Sequence, residues 1–133
     1  MSDLRALLDK EETSFAVVGA TDTPGKFGGR IYRDLKRKGY KVFAVNTGRD
    51  TVDGDPAWAK LSDLPETPTM AVMVVHAHDG LGVLEDAAIA GVDNIWVQPG
   101  AFSRELGEAL DAGEFNWLHE ACVMVEAGPV HQH

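Results

Sequence analysis

Phe15-Ala16-Val17-Val18-Gly19-Ala20-Thr21-Asp22-Thr23-Pro24-Gly25-Lys26-Phe27-Gly28-Gly29-Arg30 reads as a strand, a tight glycine turn and the start of a helix. A glycine at the end of a buried strand lets backbone come close to a ligand, and the helix that follows offers unpaired N–H groups and the positive end of its dipole to an anion. The stretch therefore predicts a phosphate cradle. It is not a regular G-x-G-x-x-G: Gly19 fits, Thr21 stands where a second glycine belongs, and the later glycines are displaced to 25, 28 and 29.

Working outward, Phe27, Ile31 and Leu35 recur every four residues while Arg30, Arg33, Lys36, Arg37 and Lys38 fill the opposite face, predicting a helix that lies on a sheet and stops at Gly39. Tyr40 to Val45 is then a second strand, and a strand, helix and strand of this length imply a parallel pair joined by a right-handed crossover. Asn46 to Pro56 is polar and turn-like, with Asp53-Gly54-Asp55-Pro56 as a breaker, and an irregular piece carries Trp58 and Leu61 inward. Met70 to Val75 and Asn94 to Gln98 are further interior strands. Helices follow each: one capped by Asp79 that carries Leu81, Leu84, Ala87 and Ala88 to Gly91, the other capped by Ser103 and running to Gly113. Phe115 to Leu118 and Ala121 to Val125 are the last strand candidates, and Leu4, Leu7 and Leu8 predict an amphipathic N-terminal helix over 3–12. Alternating strands and helices specify an α/β fold, an open, mainly parallel sheet with helices on both faces. With 133 residues the chain is expected to form one domain, with a core over 14–126 and a flexible tail over 127–133.

The 12 Lys and Arg against 21 Asp and Glu leave a formal charge of −9, an acidic surface that argues against nucleic acid and anionic membrane as partners. Cys122 is the one cysteine, so no internal disulfide framework exists. No stretch approaches the roughly 20 apolar residues of a membrane span, and the first residues do not have the pattern of a leader, so a cytoplasmic setting is expected. His76 and His78 invite a metal with His119, but no Asp or Glu spacing completes a ligand set, and the terminal His131-Gln132-His133 reads as a frayed tail. Cys122 reads as a small buried apolar residue, with thiol exchange against a ligand as the alternative. No motif of nucleophilic or metal-assisted catalysis is present, and binding without chemistry is the simplest reading.

In an open α/β sheet, ligands bind beyond the carboxyl ends of the strands where the strand order reverses. A site for NAD would place an acidic residue at the end of the second strand; here Asn46 stands there, followed by Thr47, Gly48 and Arg49. An amide with a nearby cation suits a ribose that bears a phosphate, and NADP and coenzyme A both have one.

Phe-Ala-Val-Val-Gly-Ala (15–20), Lys-Gly-Tyr-Lys-Val-Phe-Ala-Val-Asn (38–46), Leu-Ser-Asp-Leu-Pro (61–65), Ile-Trp-Val-Gln-Pro-Gly (95–100) and Cys-Val-Met-Val-Glu (122–126) together resemble the small stand-alone CoA-binding proteins. Those are similar to the CoA-binding domain of the succinyl-CoA synthetase α subunit. The resemblance implies a Rossmann-like fold that binds coenzyme A or an acyl-CoA, as a carrier, sensor or regulatory protein. It implies that Gly19, Ala20 and Thr21 hold the phosphates and that Asn46 flanks the 3′-phosphate. It also implies that Val75, His76 and Ala77, with Gln98, Pro99 and Gly100, receive the adenine and the pantetheine arm. Lys26 and Arg49 are the candidate phosphate cations. Two other readings stay open: a subunit of an NADP-binding oxidoreductase, and an interaction protein without a ligand, the latter because Thr47, Gly48 and Ala121 depart from the family's pattern. A homo-oligomer or a protein partner is compatible with all three.

Overall fold

The computed structural model of the chain describes residues 4–75 and 77–130. Five parallel interior pairings build the sheet. Strand β1 (Ser14–Val18) lies between β2 (Lys41–Val45) and β5 (Met70–Met73); beyond β2 come β4 (Asp55–Trp58) and β3 (Thr51–Val52), and beyond β5 come β6 (Asn94–Val97) and β7 (Asn116–Leu118). The order β3-β4-β2-β1-β5-β6-β7 reverses at β1, because the chain builds outward through β2 and then returns to lay β5 on β1's other side. That reversal is the doubly wound, Rossmann-like arrangement, and it opens a crevice at the carboxyl ends of β1 and β5.

The interior strands are apolar on both sides because helices cover both. Along β1, Phe15 and Val17 point into one core, with Ile31 and Leu35 of helix α1 (Phe27–Arg37) and Val123 of the short α4 (Val123–Glu126). Ala16 and Val18 point into the other, with Leu84 and Ala87 of α2 (Ala77–Ala90) and Leu106 and Leu110 of α3 (Arg104–Ala112). Helix α1 ends where the sequence predicts: Gly39 takes φ +98°, its amide donates to the carbonyl of Lys36 and the Tyr40 amide to that of Leu35, which closes the last turn and starts β2. Ser103 caps α3, its hydroxyl accepting from the Leu106 amide at 3.1 Å. Asp79, by contrast, lies within the first turn of α2, which begins at Ala77.

Four further local readings change. The N-terminal segment forms a single 3-10 turn at Leu4–Leu7 among the described residues, although Leu4 and Leu8 are buried as expected. Asp53-Gly54 breaks nothing: both residues have positive φ, 53° and 78°, and they form the tight turn of a β3–β4 hairpin that adds an edge to the sheet. Val123–Glu126 is a helical turn and not a strand. Residues 127–130 are tied down, with Ala127 buried and the Val130 amide donating to the Lys38 carbonyl at 2.8 Å.

The hairpin is also fastened to α1. The buried Tyr32 hydroxyl donates to Asp55 Oδ2 at 2.7 Å, and Lys36 Nζ reaches the same oxygen and, at 3.1 Å, Asp53. Hydrogen bonds from Lys36 and then Tyr32 hold the Asp55 carboxyl below its ordinary value, while the bond to Asp55 raises Lys36 against the opposing effect of burial. Stability from Asp55 is thus present above pH 3.8 and lost as pH falls through its lowered value; that from Lys36 is present below 10.5 and lost as pH rises through its raised one. Tyr32→Phe is expected to lower the unfolding free energy by about 1 kcal/mol in urea titrations at pH 7. The gap from wild type should narrow once the pH falls below 3.8.

Candidate functional site

At the end of β1 the chain turns on Gly19, whose φ of +105° no L side chain adopts without strain. Its amide is already in use, donating to the Val45 carbonyl at 2.9 Å, and the Ala20 amide makes a long contact with the Val17 carbonyl at 3.4 Å. The free donors stand one step further on. Helix α1 begins at Phe27 behind Lys26, which supplies no side-chain cap, and the amides of Phe27, Gly28 and Gly29 have no acceptor among the described residues. These are the uncompensated N–H groups of a helix start, together with the positive end of its dipole.

The displaced glycines explain how that helix start comes to the crevice. A Cβ built on Gly28 would lie 1.9 Å from the Gly19 carbonyl oxygen, and one on Gly29 would lie 2.3 Å from that of Thr21. Glycine at both positions lets the first turn of α1 rest directly on the backbone of the turn after β1. The missing second and third glycines of the regular fingerprint are therefore replaced in function by a pair set later in the chain. Periodicity assigned Phe27 to the core; it is instead 55% exposed, at the rim of the crevice.

Two clefts flank Gly19 and Val75, which line both. The first, about 490 Å³, takes in Thr21, Lys26, Gln98, Pro99 and Gly100 from the predicted set. Phe27, Gly28, Val74 and Ala101, none of them named as a site residue, also line it, as does Cys122, which the sequence offers only as an alternative thiol-exchange residue. The second, about 590 Å³, contains Asn46 of the predicted set, with Thr47, Lys60, Asp79 and Asp86. Lys60, on the irregular loop after β4, carried no motif by which sequence reading could find it.

Asn46 is engaged at both ends of its amide, donating to the Ala20 carbonyl and accepting from the Gly48 amide, each at 2.8 Å. It ties the glycine turn to the loop after β2. Ala20 is fully buried beneath that tie. Arg49 lines neither cleft; its guanidinium donates to Thr23 Oγ1 at 3.0 Å and stands 3.8 Å from the Asp22 carboxylate, bridging the same two loops from outside. His76 lies outside the described residues, as does the terminal His131 to His133, and Ala77 is the first residue of α2. His119 is stacked on Phe102, with ring centroids 3.9 Å apart. No group of three metal-binding side chains occurs among the described residues. Cys122 is half-buried on the wall of the first cleft, and Gln98 Nε2 approaches its sulfur at 3.4 Å. No helix among the described residues is long and apolar enough to cross a membrane.

A family model described as a CoA binding domain matches residues 13–128, nearly all of this architecture. The chain belongs to the CoA-binding domain family. Within curated proteins, it is similar to the α subunit of ADP-forming acetate–CoA ligase I from Pyrococcus furiosus, 35% identical over an alignment of 101 residues, with 71% of this chain and 22% of the relative covered. The chain spans between 13% and 22% of the length of the curated ligases it matches. Among solved structures, a conserved hypothetical protein from Pyrococcus furiosus superposes with a TM-score of 0.83 at 35% identity, over 86% of this chain and 99% of that one. A dinucleotide-forming acetyl-coenzyme A synthetase from Ca. Korarchaeum cryptofilum, in complex with phosphate and ADP, gives a TM-score of 0.76 at 33% identity, over 89% of this chain and 27% of the other. Family membership supports coenzyme A as the ligand and lends no support to NADP.

The glycine geometry gives a direct test. Gly28→Ala should cost several kcal/mol in thermal or urea unfolding, since its nearest neighbours are backbone atoms that cannot move aside. Gly82→Ala, in α2 with nothing within 4 Å of its added methyl, should instead be neutral or stabilising by up to about 1 kcal/mol.

Proposed function

We propose that this protein binds coenzyme A or an acyl-CoA, with the ligand's diphosphate at the N-terminus of α1. We further propose a carrier, sensor or regulatory role in the cytoplasm without a reaction of its own. The observation that carries the reading is the uncapped start of α1. Three free amides and the exposed ammonium of Lys26 stand together at the mouth of the first cleft, at the switch point of a CoA-binding domain. Lys26 makes no ion pair among the described residues, so it can meet a phosphate without first breaking one. Arg49 reaches the site's edge through contacts with Thr23 and Asp22 that a stronger anion can replace.

The sulfur of Cys122 accepts from the Gln98 amide at 3.4 Å, a partner that takes up no proton and so cannot serve the thiol as a general base. The ligase relatives are several times longer than this chain, and the machinery for joining acetate to CoA belongs, on this reading, to their other parts.

Thermal-shift measurements test the proposal. CoA should stabilise the protein by about 2.7 kcal/mol at a hundredfold excess over Kd, dephospho-CoA should stabilise it less at the same concentration, and NADPH should leave Tm unchanged. Lys26→Ala should weaken CoA binding about tenfold, the loss of one charge-assisted hydrogen bond. Equal shifts from CoA and dephospho-CoA would remove the role given to the 3′-phosphate, and a shift with NADPH alone would replace the ligand.

A further inference from the structure

The first cleft changes character from mouth to interior. Lys26, Thr23 and Pro99 are exposed at its mouth, whereas the inner wall is built from the half-buried Val74 and Val75 and from Ala101, only 3% exposed. Phe27 continues this apolar wall to the rim, where the Arg30 guanidinium covers its ring at 5.2 Å from the centroid. The buried polar side chain that reaches the interior, Gln98, is engaged at both ends of its amide. Gln98, 4% exposed, accepts from the Val123 amide at 2.7 Å through Oε1 and approaches Cys122 through Nε2; the Ala101 amide donates to the Gln98 carbonyl at 3.0 Å.

Such an interior rewards one kind of occupant. A polar ligand atom placed there exchanges water for partners that are already taken, while a hydrocarbon gains by leaving water and gives up nothing. Charge sharpens the choice. Among the described lining residues Lys26 is the only cation, and it stands at the mouth, so a carboxylate carried inward would be buried without a counter-ion from any of them.

Resting on the reading of this site as CoA-binding, we infer that the interior of the first cleft is an acyl chamber and that the preferred ligand is an acyl-CoA with a neutral hydrocarbon acyl group. Free CoA leaves the chamber unfilled. A dicarboxylic acyl group such as succinyl brings a charge that the chamber cannot pair. The diphosphate at the start of α1 directs the pantetheine arm inward past Val75 and Gln98, and the thioester end then meets the apolar wall.

Calorimetric titration of the full chain with CoA, butanoyl-CoA, hexanoyl-CoA and succinyl-CoA tests this. Hexanoyl-CoA should bind at least tenfold tighter than CoA, with about three- to fourfold gained per methylene taken out of water, and succinyl-CoA no tighter than CoA. Phe27→Ala, at a position too exposed to threaten folding, should reduce the ratio of hexanoyl-CoA to CoA affinity by about threefold or more. Equal affinities for CoA and hexanoyl-CoA would overturn the chamber and leave the CoA-binding reading standing. So would a succinyl-CoA affinity above that of hexanoyl-CoA, and an unchanged ratio in Phe27→Ala would overturn the placing of the acyl group in this cleft. If none of the four ligands binds, the CoA-binding reading itself falls and the chamber falls with it.

Discussion

Contact between two stretches of backbone governs this molecule: the first turn of α1 sits on the turn that leaves β1, with a Cβ at Gly28 excluded by a carbonyl oxygen 1.9 Å away. Backbone atoms cannot yield as the end of a long side chain can, so the position of the helix start is decided by sterics. Because α1 starts there, its unpaired amides open at the point where the strand order reverses. Because it ends after eleven residues at Arg37, the left-handed Gly39 returns the chain beside β1. Val45 at the end of β2 then offers its carbonyl to the Gly19 amide, and the turn on which α1 rests is held by the strand that α1 delivers.

The same economy extends along the carboxyl edge of the sheet. Four of the five parallel pairings continue one residue past the strand: Gly19 to Val45, Asn46 to Trp58, Val74 to Val18 and Gln98 to Met73, all at 2.9–3.1 Å. These bonds satisfy the loop backbones just where they leave the sheet, which lets the loops stand at fixed positions around open space. Asn46 adds a side-chain tie across the reversal, to Ala20. A ligand that meets loops already held this way loses less affinity to ordering them.

The central strands were legible because burial on both faces leaves an unmistakable mark: Phe15 to Val18, Met70 to Met73 and Ile95 to Val97 carry no polar side chain. The glycines at 39 and 91 were legible for a different reason, since a left-handed residue closing a helix is a local requirement that sequence states locally. What sequence hid was tertiary. Gly28 and Gly29 are demanded by the carbonyl oxygens of Gly19 and Thr21, contacts that no periodicity reveals, and Phe27 obeyed the helical spacing while the helix start turned it outward. Asp53-Gly54 was ambiguous between breaker and hairpin because Pro56 argued against a strand; β4 accepts that proline at its pairing with the two-residue edge strand β3. The loops that the family resemblance named line the two clefts at Gly19, Thr21, Asn46, Val75, Gln98, Pro99 and Gly100. The resemblance did not distinguish Asn46 as a tie within the protein from Asn46 as a ligand contact.

Charge remains the apparent contradiction, a protein of formal charge −9 read as the host of a polyanion. Screening resolves it, because exposed charges more than about 8 Å apart interact weakly at physiological salt, and the local balance decides. Among the described residues the lining of the first cleft includes no carboxylate, one ammonium at Lys26 and a helix start worth about half a positive charge. The second cleft sets Asp79, Glu85 and Asp86 against Lys60, with Asp86 already accepting from the Leu61 amide and the Ser62 hydroxyl. Under the proposed reading, this local balance favours a diphosphate at the first cleft over the interior of the second, where donors such as the amino group of a base are better matched to the carboxylates. Since Gly19 and Val75 wall both spaces, a ligand anchored at α1 can extend one end into each without leaving the crevice.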